Sequence, residues 1–162
     1  MFASPEGSML FNWLQEMQFS YVVFQHYNAN YNRLLERQYS RRKPTRINVV
    51  KIESGKEFLE AELAALRIRK CTIVKYLSPY VVDAIVACFL EDPGQFAEDY
   101  EVSCFFEPEK TKEILREMRE KGRFVREYAN QKTESYEFGV EGSKVLTIRK
   151  NGVMWTLSAK AN

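Results

Sequence analysis

Long apolar runs, clustered glycines and paired cysteines are all missing from this chain of 162 residues. No stretch approaches the ~20 consecutive apolar residues of a membrane span, so no membrane partner is expected. The seven glycines are scattered, and no G-x-x-x-x-G-K-S/T sequence occurs, which excludes a phosphate loop of that type. Cys71, Cys88 and Cys104 form no C-x-x-C pair, and His26 is the single histidine. A zinc site would need a fourth ligand beside all three cysteines, and His26 is the only histidine, so the cysteines read as small buried hydrophobes in a reducing compartment. No basic segment followed by an apolar one opens the chain, so cytoplasmic residence is the expectation.

Catalytic signatures are equally scarce. His26 has Val22, Val23, Ala29 and Asn30 as its helical neighbours, none of them a carboxylate. A general base needs such a partner, so the histidine reads as structural. Asp83 is the lone carboxylate of an apolar stretch, placed where a negative charge meets the positive end of a helix. Glu91, Asp92, Glu98, Asp99 and Glu101 match no metal-binding spacing and read as solvated loop residues. No catalytic residue, metal or cofactor is expected.

What the chain does have is aromatic residues: eleven Phe, nine Tyr and two Trp, enough for a well-filled core or an extra buried interface. From Leu10 onward an apolar residue recurs every three or four positions: Leu10, Leu14, Met17, Tyr21, Phe24, Tyr27, Tyr31, Leu34. That spacing predicts one long N-terminal helix, capped by Ser8 and running to about Tyr39. Trp13, Val22 and Val23 widen the stripe beyond one face, so the helix is expected to pack against another chain as well as its own body. The interface residues expected are Leu10, Trp13, Leu14, Met17, Tyr21, Phe24, Tyr27 and Tyr31.

Charge is distributed unevenly although the net value is only +2. Between Arg33 and Lys51 stand seven basic residues and one acidic one; between Glu91 and Glu113 stand eight acidic and two basic. Arg33, Arg37, Arg41, Arg42, Lys43 and Arg46, interleaved with Tyr31 and Tyr39, are the candidate contacts for nucleic acid. Pro44 ends the helix, because the residue before a proline is pushed out of helical geometry. The expected division is a helical arm over 1–43 and a body over 44–162.

The body predicts an α+β fold with α/β-like alternation in its middle. Strands are expected at 47–52, 71–77, 101–106 and, more weakly, 124–128. Ser54 to Glu57 reads as a capping box opening a helix. Ser78-Pro79 opens a nearly all-apolar helix, stopped by Asp92-Pro93-Gly94, and Pro108 opens another. A three-stranded antiparallel meander over 133–159 closes the chain, with Phe138 opposite Leu146, Tyr136 opposite Ile148, and an Asn151-Gly152 turn placing Ile148 opposite Trp155. Its wet side carries Ser135, Glu137, Thr147, Arg149, Thr156 and Ser158, and helices cover its dry side.

Together these point to a non-catalytic subunit that oligomerises or docks through its N-terminal helix. Its partner is itself or another protein chain, and a basic junction contacts nucleic acid. Two alternatives stand beside this. One is a DNA-binding regulator of winged-helix type, built on the 108–121 helix, although Glu109, Glu113, Glu117 and Glu120 suit that helix poorly to phosphates. The other is a metal-dependent phosphodiesterase or nuclease using the carboxylates around 91–101.

Overall fold

The N-terminal segment departs most from expectation. The computed structural model describes residues 12–40, 45–105, 107–121, 124–130, 133–139 and 144–161, so Leu10 lies outside it. Residues 12–16 are helical, but Tyr21–Phe24 form a strand, β1. Two β-branched valines between two aromatics suit a pleated surface better than a helix. Asn28 then accepts a hydrogen bond from the Asn30 amide, opening a 3-10 turn at Ala29–Tyr31 that leads into helix α1, Asn32–Tyr39. Asparagine side chains compete for backbone donors in this way, and that interrupts a helix. Over the described residues, the long N-terminal helix is therefore replaced by four short elements.

The apolar spacing is satisfied all the same. Phe24 and Tyr27 are buried and Leu35 is fully enclosed, whereas Trp13, Met17 and Tyr21 are exposed. The fully buried Gln38 holds the entry to β1: its amide nitrogen donates to the Met17 carbonyl at 2.8 Å, and its oxygen accepts from the Phe19 amide at 3.0 Å. Residues 21–40 thus share one sheet and one core with the body of the chain.

The remaining elements alternate and then meander: β2 (Arg46–Val49), α2 (Lys56–Ala64), β3 (Lys70–Tyr76), α3 (Pro79–Glu91), β4 (Tyr100–Phe105), α4 (Pro108–Glu120), β5 (Phe124–Ala129), β6 (Thr133–Gly139), β7 (Lys144–Asn151) and β8 (Met154–Ala161). The cap of α2 is Gly55, not Ser54. Gly55 has a left-handed φ of +76°, and a Cβ there would come within 3.0 Å of the Ala29 Cα. Ser54 instead accepts a hydrogen bond from the Ala29 amide. Position 55 needs glycine for both conformation and space.

All eight strands join one sheet in the order β1-β2-β3-β4-β8-β7-β6-β5. The first four are parallel, β4 and β8 pair antiparallel, and β5 to β8 form an antiparallel meander. The meander has four strands rather than three, because β5 pairs with β6 along Phe124–Ala129. Tyr136 pairs with Ile148 and Phe138 with Leu146, as the spacing predicts. The last hairpin slips by two: Ile148 faces Leu157 and Asn151 pairs with Met154, so Gly152 and Val153 make the turn. Gly152 has φ +63°, the sign required at the first central position of such turns. A slip of two leaves every side chain on its own face.

Each parallel strand lies beside its predecessor, so successive right-handed crossovers lay their helices on the same face. That face is dry. Ile47, Val49, Cys71, Ile73, Val102, Cys104, Trp155, Leu157, Leu146, Ile148, Tyr136 and Phe138 alternate into a core with Leu59, Leu63, Val82, Ile85, Phe89, Ile114 and Met118 from the helices. The sheet ends differ. β1 is an uncharged edge of four residues, whereas β5 carries Arg126 and Glu127. Among the described residues no helix is long and apolar enough to cross a membrane.

Candidate functional site on the uncovered sheet face

Two buried carboxylates, Glu60 and Glu62 on α2, are the first groups to test for chemistry. Glu60 accepts from the Ser78 amide at 2.7 Å and from its hydroxyl at 2.9 Å, and pairs with Lys56. It satisfies the free N-terminus of α3 from a neighbouring helix. Glu62 accepts both prongs of the Arg67 guanidinium and the Tyr39 hydroxyl. The Arg67 fork holds its carboxyl below the usual carboxylate range, and burial together with Glu62 pushes the Tyr39 phenol up. Both carboxylates have their oxygens engaged by structural partners.

The residues singled out from sequence separate in space. Arg33 is exposed on α1, Arg37 pairs with Glu16, and Arg46 pairs with Glu101 on the opposite side of the sheet. Arg41, Arg42 and Lys43 lie outside the described residues. The described arginines of the basic run therefore do not converge. Of the expected interface residues, Trp13 is 61% exposed, Met17 and Tyr21 are exposed, Leu14 and Tyr31 are half-buried, and Phe24 and Tyr27 are core.

Other candidates are accounted for by local pairing. His26 meets Glu53 at 2.8 Å on the surface, and Asp83 pairs with the nearly buried Lys110. Asp99 pairs with Lys70. Among the described residues no three His, Cys, Asp or Glu side chains gather as a metal site. Burial pushes the Cys71 thiol up to about 12 and raises that of Cys104, so both are inert at neutral pH.

The face of the sheet away from the helices is different. No described element covers it. One row crosses all eight strands: Val23, Asn48, Thr72, Ser103, Thr156, Arg149, Ser135, Tyr128. A second row runs through Lys70, Glu101, Ser158, Thr147, Glu137 and Arg126. The two halves of this face carry different chemistry. Over the parallel strands Tyr21, Val23, Val50, Val74 and Tyr76 are between 38% and 57% exposed, and Tyr76 stacks at a tilt on Phe105 at 5.6 Å. Over the meander the side chains are mostly hydroxyls, amides and charges, with the half-buried Val145 and Met154 and one exposed ring, Tyr128.

Within the meander half a groove of about 440 Å³ is lined by Arg126, Tyr128, Thr133, Ser135, Glu137, Arg149 and Asn151. It exists because Ser135, a short side chain, sits between Tyr128 on β5 and Arg149 on β7. Arg126 is held at one end by Glu137, with Nε and Nη2 both donating to one carboxylate oxygen at 3.0 and 2.8 Å. A second cavity, about 530 Å³, lies beside β1 and is lined by Leu14, Phe19, Val22, Tyr31 and Leu34 among others. Alternation alone puts Ser135, Glu137 and Arg149 on the wet side. Tyr128 escapes sequence reasoning, because the short 124–128 segment carries no local mark that makes it the fourth strand of the meander. The chain matches no protein-family profile, no curated protein and no solved structure.

Proposed function

We propose that the chain acts by binding, as a non-catalytic subunit that pairs with a second copy of itself through the uncovered face of β1 to β4. The observation that carries this reading is the set of exposed apolar side chains Tyr21, Val23, Val50, Val74 and Tyr76, which share the uncovered face with Arg46, Asn48 and Thr72. Large side chains grouped on one face mark interaction surfaces. The charges beside the cluster are neutralised within the chain, Arg46 by Glu101 and Lys70 by Asp99. Such a face carries no sign that a like face would repel. Two copies related by a two-fold axis can then stack sheet on sheet, ~10 Å apart, as sandwiches do.

The test is the solution mass of the full chain by light scattering. The wild type is expected to be a dimer at micromolar concentration, and Val74→Asp a monomer with unchanged circular dichroism, since Val74 is already 40% exposed. A wild type that stays monomeric, or a Val74→Asp chain that still dimerises, overturns the reading.

A second site has one observation in its favour. The cavity beside β1, with Trp13 exposed next to Leu14 in the chain, supports docking of a protein partner at the N-terminal edge. Contact of the basic junction with nucleic acid has weaker support, because Arg37 and Arg46 lie on opposite sides of the sheet. The winged-helix and metal-dependent nuclease readings have no comparable geometric support among the described residues.

A further inference from the structure

We infer that the groove over β5, β6 and β7 binds one nucleotide unit of a single-stranded nucleic acid. Its ring would stack on Tyr128 and its phosphodiester would meet Arg149. This site is independent of the apolar cluster and occupies the other half of the uncovered face.

The walls set the size of what can enter. Tyr128, Ser135 and Arg149 are direct neighbours on adjacent strands. Strands lie ~4.8 Å apart, so the two walls rise from backbones about 10 Å apart with a serine floor between them. That gap admits one planar ring. The groove volume of about 440 Å³ falls in the range of small-molecule sites and suits a single base with its sugar.

The Tyr128 wall is held in place before anything binds. Asn130 donates to the Tyr128 hydroxyl at 3.2 Å while its own oxygen accepts from the Thr133 amide at 2.8 Å. The ring is thereby tied to Asn130 and through it to Thr133, yet it remains 59% exposed. Arg126 is paired with Glu137 at one end of the groove. A site that keeps its shape when empty loses less entropy on binding.

Charge then selects the ligand. Arg126 and Glu137 cancel, and Arg149 meets no carboxylate among the described residues, so the groove carries one uncompensated positive charge. A neutral sugar leaves that charge unanswered, and a phosphate monoester brings close to two negative charges against the one positive charge left over. A phosphodiester carries one negative charge per unit and matches. Ser135, Thr133, Asn151 and Glu137 supply donors and acceptors along the floor for the edge of a base. Aromatic stacking with a nearby guanidinium is how single strands are held on sheet surfaces.

The test is fluorescence anisotropy with dye-labelled oligo(U) and oligo(dT), run on the full chain against salt. Binding is expected for at least one of them, and their ratio tells RNA from DNA. Tyr128→Ala is expected to weaken it by about five-fold to a hundred-fold, the worth of one stacked base. Arg149→Gln is expected to flatten the logarithmic salt slope by about 0.7, the loss of one phosphate contact on a single strand. Arg116→Gln, an exposed arginine on α4, should leave the slope unchanged. All three side chains are exposed, so the variants are expected to fold. No oligonucleotide binding at low salt, or binding indifferent to Tyr128 and Arg149, overturns the inference. So does an acidic peptide that binds where oligonucleotides do not. None of these outcomes bears on dimerisation through the apolar cluster.

Discussion

The parallel half and the meander half share one sheet, yet they are held in different ways. β1 to β4 are joined by crossovers through α1, α2 and α3, so every pairing there closes a long loop. β5 to β8 follow one another after only two to four residues, and each strand pairs with the next in sequence. The long-range half needs specific side chains at its joints: Gly55 under Ala29, Glu60 on the Ser78 amide, Glu62 in the Arg67 fork. The local half needs little beyond alternation and one glycine turn. Where loops are long, closure entropy must be offset by specific contacts; where they are short, periodicity suffices.

Phe89→Ala tests the contrast between the halves hardest. Phe89 is fully buried on α3 and meets Phe96 edge to face at 5.8 Å, and Phe96 meets Tyr100 on β4 at 4.9 Å. Truncation should cost about 3 to 5 kcal/mol. Because β4 and β8 pair along five residues, both halves should still unfold together. Urea melts followed by circular dichroism and by Trp155 fluorescence, in a Trp13→Phe background, check this. Two separated transitions would make the halves independent domains.

A smaller effect is expected at Glu62. Glu62→Gln removes the charge that Arg67 and Tyr39 converge on and should cost about 1.5 to 3 kcal/mol. The sign with pH is set by its lowered pKa. The wild-type advantage is present above the ordinary carboxylate value of about 4.5 and fades as pH falls through the lower folded value. Denaturant midpoints measured for both proteins from neutral pH downward should converge. Parallel curves would show that the Glu62 charge does not stabilise the fold.

A last pair of substitutions separates one joint from the other. Gly55→Ala suffers both left-handed strain and a clash with the Ala29 backbone, whereas Gly152→Ala suffers strain alone, since nothing lies within 4 Å. The first should cost about 2 kcal/mol or more and the second about 1. Equal shifts in thermal midpoint would mean that the close approach of Ala29 is not a constraint.

What the sequence foretells divides along the same line. The meander's face pattern is legible from period-two alternation, and even a pairing register two residues off leaves Arg149 and Thr156 on the predicted face. Ser78-Pro79 and Asp92-Pro93-Gly94 bound α3 correctly because proline and an aspartate cap act locally. The N-terminal segment misleads because Phe24, Tyr27, Tyr31 and Leu34 keep helical spacing while lying on a strand, a turn and a helix in succession. The β-branched pair Val22-Val23 and the asparagines at 28, 30 and 32 are the countervailing signals. The continuation of that face over β1 to β4, and the Tyr128 wall of the groove, are not legible, since strand order depends on pairings between distant residues, such as Val102 with Leu157.

One consequence of the unequal sheet ends concerns assembly beyond a pair. Growth into a fibre by edge addition needs a head that fits a tail. Here the β1 border is neutral and the β5 border carries Arg126 and Glu127, so the two are poorly matched to each other. An edge contact through β1 would therefore join like to like and close on itself rather than run on as a fibre.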